Sequence, residues 1–140
     1  MDRKIRSILV ADNHDGLRSA MSDVLTREGY FVVQAANGAE VFAVLCCGVP
    51  NLLLLDLSMP HINGREVMHA VRIHHPQLQV VLVTADHNAA SIAEQLGAGG
   101  HLVKPFRVTA LLQVVAQQFA LAAPESCGTT REMGLSATFR

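Results

Sequence analysis

The sequence has little charge imbalance, little cysteine and no long apolar run, and each shortage closes off a class of protein. Eleven lysines and arginines stand against 12 acids, a formal net charge of -1. A chain that coats nucleic acid or an anionic membrane carries a basic excess, so neither role fits, and only a small local basic patch is left open. The apolar stretches are short and interrupted by charge, which argues against a membrane span. The start, "MDRKIRSILVAD", is basic, but its apolar run is only strand-length and does not read as a signal peptide. The three cysteines show no CxxC or Cys/His metal spacing, and an odd count does not make a disulfide framework. A reducing, cytoplasmic setting fits this usage. The adjacent Cys46 and Cys47 are expected to pack as small hydrophobes.

What is present is a chain of 140 residues, half of them hydrophobic and 16% charged. That is enough for one domain with a sizeable core. Two periods alternate along it. Short apolar runs at residues 8–11, 31–33, 52–55, 80–84 and 101–103 read as strands. Between them, apolar residues recur at helical spacing. Leu17, Met21, Val24 and Leu25 mark a helix over 15–28, and Val41, Val44 and Leu45 a short one after Asn37-Gly38. Val67, Met68, Val71 and Ile73 mark a third that ends before Pro76. A weaker helix covers 89–96, and a last one covers 106–121 with Val108, Leu111, Leu112, Val115 and Phe119 on one side. Five strand–helix units with continuous apolar strands predict an α/β fold, a parallel sheet covered on both faces. The small, polar, aperiodic stretch 124–140 is expected to be a flexible tail or the start of a linker, leaving 1–123 as the domain.

Right-handed crossovers put the carboxyl end of every strand on one edge, where ligands of open parallel sheets bind. The first strand ends in Asp12-Asn13, the third in Asp56, the fourth in Thr84 and the fifth in Lys104-Pro105. The second ends in Gln34-Ala35-Ala36, which is chemically quiet. Two carboxylates, an amide, a hydroxyl and an ammonium therefore converge by topology. Two nearby carboxylates repel unless a cation lies between them. Lys104 supplies one positive charge, and a hard divalent ion such as Mg²⁺ would supply more.

The blocks "ILVADNHDGLR", "LLLLDLSMPHINGREVMHAVR", "VVLVTAD" and "GAGGHLVKPF" resemble the signature blocks of the response-regulator receiver domain, in order and at the right spacing over about residues 5–121. The resemblance implies a flavodoxin-like doubly wound five-stranded sheet with strand order 2-1-3-4-5. It implies that Asp56 is the phosphoacceptor and that Asp12 and Asn13 are the pair that holds Mg²⁺. Ser58 would give its backbone carbonyl as a further metal ligand. Thr84 would bond the phosphoryl group and move with it, and Lys104 would contact the phosphoryl oxygens. Pro105 corresponds to a proline that is cis in family members, and Met59-Pro60 and Gly64 to the loop after the acceptor. The implied donor is a sensor histidine kinase or a histidine phosphotransfer protein. The implied output is a changed surface of helix 4, strand 5 and helix 5 that acts on a downstream protein. Such a chain is a signalling phosphoacceptor, monomeric or a phosphorylation-dependent homodimer, that catalyses only its own phosphorylation and dephosphorylation. It is either a stand-alone receiver or the first part of a longer, for example transcriptional, regulator. No nucleic-acid contact is expected from these residues.

Two positions depart from the pattern. Asn13 stands where the family has an acid; an amide oxygen ligates Mg²⁺ but brings no charge, so weaker metal binding is expected. His101 stands where the family has its switch aromatic, and its charge would add a pH dependence. Asp86 and Ser58 lie where family members tune water access to the acyl phosphate. Plainer readings stand beside these. Asp56 suits a cap at a strand end, and Asp12 or Asn13 an N-cap of the first helix. Lys104 suits the surface, Thr84 an ordinary strand position and His101 an edge strand. His74-His75 suit a helix end, while His14, His61 and His87 lie in loops near the active edge, within reach of a stray metal or phosphate. Gly97-Ala98-Gly99-Gly100 lacks the lysine of a phosphate cradle and reads as a turn. The alternatives to a receiver are a phosphorylation-independent pseudo-receiver, which Asn13 favours, and a flavin binder. The acidic "ADNHDG" argues against the flavin binder.

Overall fold

Leu52 to Leu55 are each no more than 1% exposed, and they divide two and two. Leu52 and Leu54 pack with Ile8, Val10, Val81 and Val83 on one face, whereas Leu53 and Leu55 pack with Leu9, Val80 and Leu82 on the other. A strand sends alternate side chains to opposite faces, so an unbroken apolar run is stable only where both faces are covered. The computed structural model describes residues 5–122 and supplies both covers.

The elements alternate as β1 (Ser7–Ala11), α1 (Asp15–Arg27), β2 (Phe31–Ala35), α2 (Gly38–Cys47), β3 (Leu52–Asp56), α3 (Gly64–His74), β4 (Gln79–Thr84), α4 (Ala89–Leu96), β5 (Gly100–Val103) and α5 (Val108–Ala122). All pairings are parallel and the strand order is β2-β1-β3-β4-β5, as the resemblance implies. Met21 and Leu25 of α1 and Leu111, Leu112, Val115 and Phe119 of α5 seal one face. Val41 and Leu45 of α2, Val67, Met68 and Val71 of α3 and Ile92 of α4 seal the other. Among the described residues no helix is long and apolar enough to cross a membrane.

The boundaries shift where hydrogen bonds, not apolar runs, decide them. The strand expected at 31–33 continues to Ala35, because Gln34 and Ala35 still pair with Val10 and Ala11. The last helix starts at Val108 and not at 106, because the Arg107 carbonyl accepts the first helical bond, from Leu111 N. The expectation for the cysteines is corrected: Cys46 and Cys47 are both exposed thiols. Val41 and Leu45 form the buried stripe of α2, and the next two residues turn past it. The tail expected at 124–140 lies outside the described residues.

Candidate functional site

Because β1 and β3 are neighbours, with Ala11 opposite Leu55, the next residue of each strand, Asp12 and Asp56, lies side by side. They are only 1% and 2% exposed. Two carboxylates sharing a dry site repel. Lys104 answers them from the end of β5, beyond β4: its Nζ lies 3.1 Å from Asp12 Oδ2 and 3.5 Å from Asp56 Oδ1. The backbone of Lys104 is fixed for that reach by its N–H, which donates to the Thr84 carbonyl at 2.8 Å.

Burial pushes the Asp56 carboxyl above the ordinary aspartate range. The Ser58 N–H, which donates to Oδ1 at 3.1 Å, opposes the shift; the Asp12 charge adds to it and Lys104 opposes it again. Asp12 Oδ1 accepts the His14 N–H at 2.8 Å, while its Oδ2 is buried with Lys104 nearby but no well-directed hydrogen bond. Asn13 completes the cluster. The surrounding hydrogen-bond network assigns its amide nitrogen as donor to Asp56 Oδ2 at 3.2 Å and to the Ser58 carbonyl at 3.1 Å.

Thr84 sits at the end of β4, beside this group, with its hydroxyl accepting the Asp86 N–H at 3.1 Å. Asp86 in turn accepts the Asn88 N–H before α4. His101, in β5, lies opposite Leu82 of β4 and is exposed, outside the cluster. The Lys104–Pro105 peptide is cis. The loop after β3 is held close: Met59 is buried, Pro60 exposed, and a Cβ on Gly64 would fall 2.5 Å from Leu57 Cα and 2.8 Å from the Asp56 carbonyl oxygen. Only glycine lets α3 begin against the strand end that carries Asp56. Asn63 and Glu66 then cap that helix reciprocally.

One expectation is corrected here: neither Asp12 nor Asn13 caps α1. The N-cap is His14, whose Nδ1 accepts the Leu17 N–H at 3.0 Å. Asp12 is held by the strand and points into the cluster, so the helix takes the next acceptor along. Sequence reasoning also missed Arg18. Its guanidinium donates to the Asp12 carbonyl at 2.8 Å and to the Gln34 side chain at 3.1 Å, and it pairs with Asp15 at 2.8 Å. It ties α1 to the ends of β1 and β2. The i,i+3 spacing of Asp15 and Arg18 was the available signal.

Among the described residues no three His, Cys, Asp or Glu side chains form a metal-binding group. The third member here is the amide of Asn13. Even so the donor set is all oxygen once that amide turns over, and the two buried carboxylates have a single ammonium between them. Such a set suits a hard divalent cation.

The model of the response regulator receiver domain family matches residues 8–116. The chain belongs to that family. This receiver is 31% identical over 116 residues to sporulation initiation phosphotransferase F of Bacillus subtilis, covering 81% of this chain and 94% of that one. It is 33% identical over 110 residues to the DNA-binding transcriptional regulator NtrC of Escherichia coli, covering 77% of this chain but only 24% of NtrC. A solved structure of response regulator protein TrrA from Thermotoga maritima, in complex with Mg(2+)-BeF, shares 30% identity, covers 81% of this chain and 99% of that one, and superposes with a TM-score of 0.75. The chain is thus a receiver domain of two-component signalling, and these likenesses lend no support to the pseudo-receiver alternative.

Proposed function

We propose that Asp56 is the phosphoacceptor and that the receiver takes a phosphoryl group from a phosphohistidine on a sensor histidine kinase or a histidine phosphotransfer protein. The observation that carries this reading is the pairing of two buried carboxylates with one lysine, Nζ at 3.1 and 3.5 Å, at the carboxyl edge. A carboxylate oxygen of Asp56 attacks phosphorus in line. The bond from phosphorus to the imidazole nitrogen breaks, and its electron pair leaves with the imidazole. Lys104 and the Ser58 N–H, already at Oδ1, meet the negative charge of the transferred group.

Asp12, the Asn13 amide oxygen, Asp56 and the Ser58 carbonyl would hold Mg²⁺, with Asn13 weakening the affinity. Bound there, the ion would neutralise charge on the phosphoryl oxygens. Thr84 gives up its bond from Asp86 N–H to meet the phosphoryl group, and His101 turns with it. Their movement alters the α4–β5–α5 surface for a downstream protein or a second copy of the chain. Charge-assisted hydrogen bonds can supply the roughly 1–3 kcal/mol such a switch needs. Pro60, Gly64 and Pro105 shape the loops that hold these groups. The domain spans 1–123 with 124–140 as tail or linker, works in the cytoplasm, and acts as a phosphoacceptor rather than on a separate substrate.

The test is incubation with Mg²⁺ and a small acyl-phosphate donor, read by intact mass. A phosphate-sized increase that Asp56→Asn abolishes is expected. No increase, under conditions where a control receiver reacts, returns the chain to the pseudo-receiver class.

A further inference from the structure

We propose that Asn13 is a built-in substitute for the cation in the metal-free receiver, and that its amide must turn over before a divalent ion can enter. The inference deepens the reading of the Asp56 site and rests on it. The hydrogen-bond network favours the amide orientation in which the nitrogen donates to Asp56 Oδ2 at 3.2 Å and to the Ser58 carbonyl at 3.1 Å. These are two of the oxygens that a metal ion there would bind. In the opposite orientation the amide oxygen would face both of them, three acceptors together with no donor among them. Without an ion, therefore, the nitrogen faces inward and its two N–H groups do part of the work of a positive charge. With an ion the polarity reverses, since a cation requires the oxygen. The two states differ by a half-turn of one side-chain torsion.

A carboxylate at this position has no such choice. It would add a third negative charge beside Asp12 and Asp56, with Lys104 as the one ammonium within reach among the described residues. The amide gives up metal affinity and in return leaves the metal-free site at rest. Exposure makes the turn feasible: Asn13 is exposed, unlike the two buried aspartates. The site is then closed by its own hydrogen bonds when free divalent ion is scarce and opens only when the ion outcompetes them.

The experiment compares wild type, Asn13→Asp and Asn13→Ala in thermal melts with chelator and in titrations with Mg²⁺, and follows the Asn13 side-chain amide resonances of the wild type by NMR. In chelator both variants are expected to melt lower, by several degrees. The aspartate variant should bind Mg²⁺ at least about tenfold more tightly, from one added charge against a divalent ion. The Asn13 NH₂ resonances should shift on Mg²⁺ addition. A variant as stable as wild type in chelator, or NH₂ resonances that Mg²⁺ leaves unmoved, overturns the proposal. The NMR arm needs no variant and stands if Asn13→Asp fails to fold. None of these readouts needs phosphorylation, so failure of the phosphoacceptor reading would show separately, in the mass assay.

Discussion

At the amino edge of the sheet, Gln118 is 3% exposed and uses both ends of its amide. Its Oε1 accepts from Gln79 Nε2 at 2.7 Å and its Nε2 donates to the Gly99 carbonyl at 3.1 Å. Close by, the Arg72 guanidinium donates to the carbonyls of Pro76, Leu78 and Gly97, tying the ends of α3 and α4 to β4. At the carboxyl edge of the same strands, two equally buried carboxylates share one ammonium, and Asp12 Oδ2 lacks a directed donor. Burial alone therefore does not separate the two edges; charge does, with neutral amides and carbonyls as the partners at one edge and two carboxylates on a single ammonium at the other. A buried polar group with its partners in place holds a fold together. A buried excess of like charge is held ready for something that arrives.

The comparison predicts that damage at the two edges separates into function and stability. The largest effect is expected from Lys104→Ala, which removes the ammonium that reaches both Asp12 and Asp56. Phosphoryl uptake from the small donor should fall about a hundred- to a thousandfold, the range for loss of one transition-state donor. Rapid-quench measurement of phosphoprotein checks it, and uptake within a few-fold of wild type would break the comparison from the carboxyl side. Next comes Gln118→Ala, which leaves the Gly99 carbonyl without its side-chain donor and the Gln79 amide with only the Gln118 backbone carbonyl, at 3.2 Å. It should cost about 1–3 kcal/mol in denaturant unfolding and leave uptake unchanged. Loss of uptake in a variant that stays folded would mean that the edges are coupled.

The smallest expected effect carries the sharpest sign. The folded Asp56 holds its proton to higher pH than the unfolded one, because burial dominates its surroundings. Its contribution to stability is therefore fully present below the unfolded carboxylate pKa. It is lost as pH rises through the raised folded value, and stays lost at neutral pH. Asp56→Asn abolishes this dependence. In chelator at neutral pH the variant should be more stable than wild type, with the gap closing as the pH is taken below the carboxylate range. A gap that is absent or constant across that range would place the cost of the edge elsewhere.

Much of this was legible in the residues. Leu52 to Leu55 announce a strand covered on both faces, and the residues after each apolar run name the chemistry of one edge. Asp12, Asp56 and Lys104 converge because parallel strands and right-handed crossovers leave them no other side. What failed to read was the set of partners set by distance. His14 as the N-cap of α1 was not legible, since a histidine accepts there only once Asp12 is committed to the cluster. Gln118 lies one residue before Phe119 on the buried side of α5, and a lone polar residue there signals a network without naming Gln79 or Gly99. The cysteines misled because hydrophobic type and burial part company at a helix end.

By itself the sequence determined the alternation of strand and helix, the parallel sheet, and which residue types stand at its carboxyl edge. All of these follow from periodicity and chain connectivity, which are local or nearly so. Only the tertiary structure decided what those residues do to one another. That covers how far Lys104 reaches across the end of β4, which oxygens of Asp12 and Asp56 it meets, and which acceptors surround the Asn13 amide. These depend on separations of about 3 Å between atoms far apart in the chain. At that range a hydrogen bond or a charge contact is either made or missed, and no pattern of residue types specifies which.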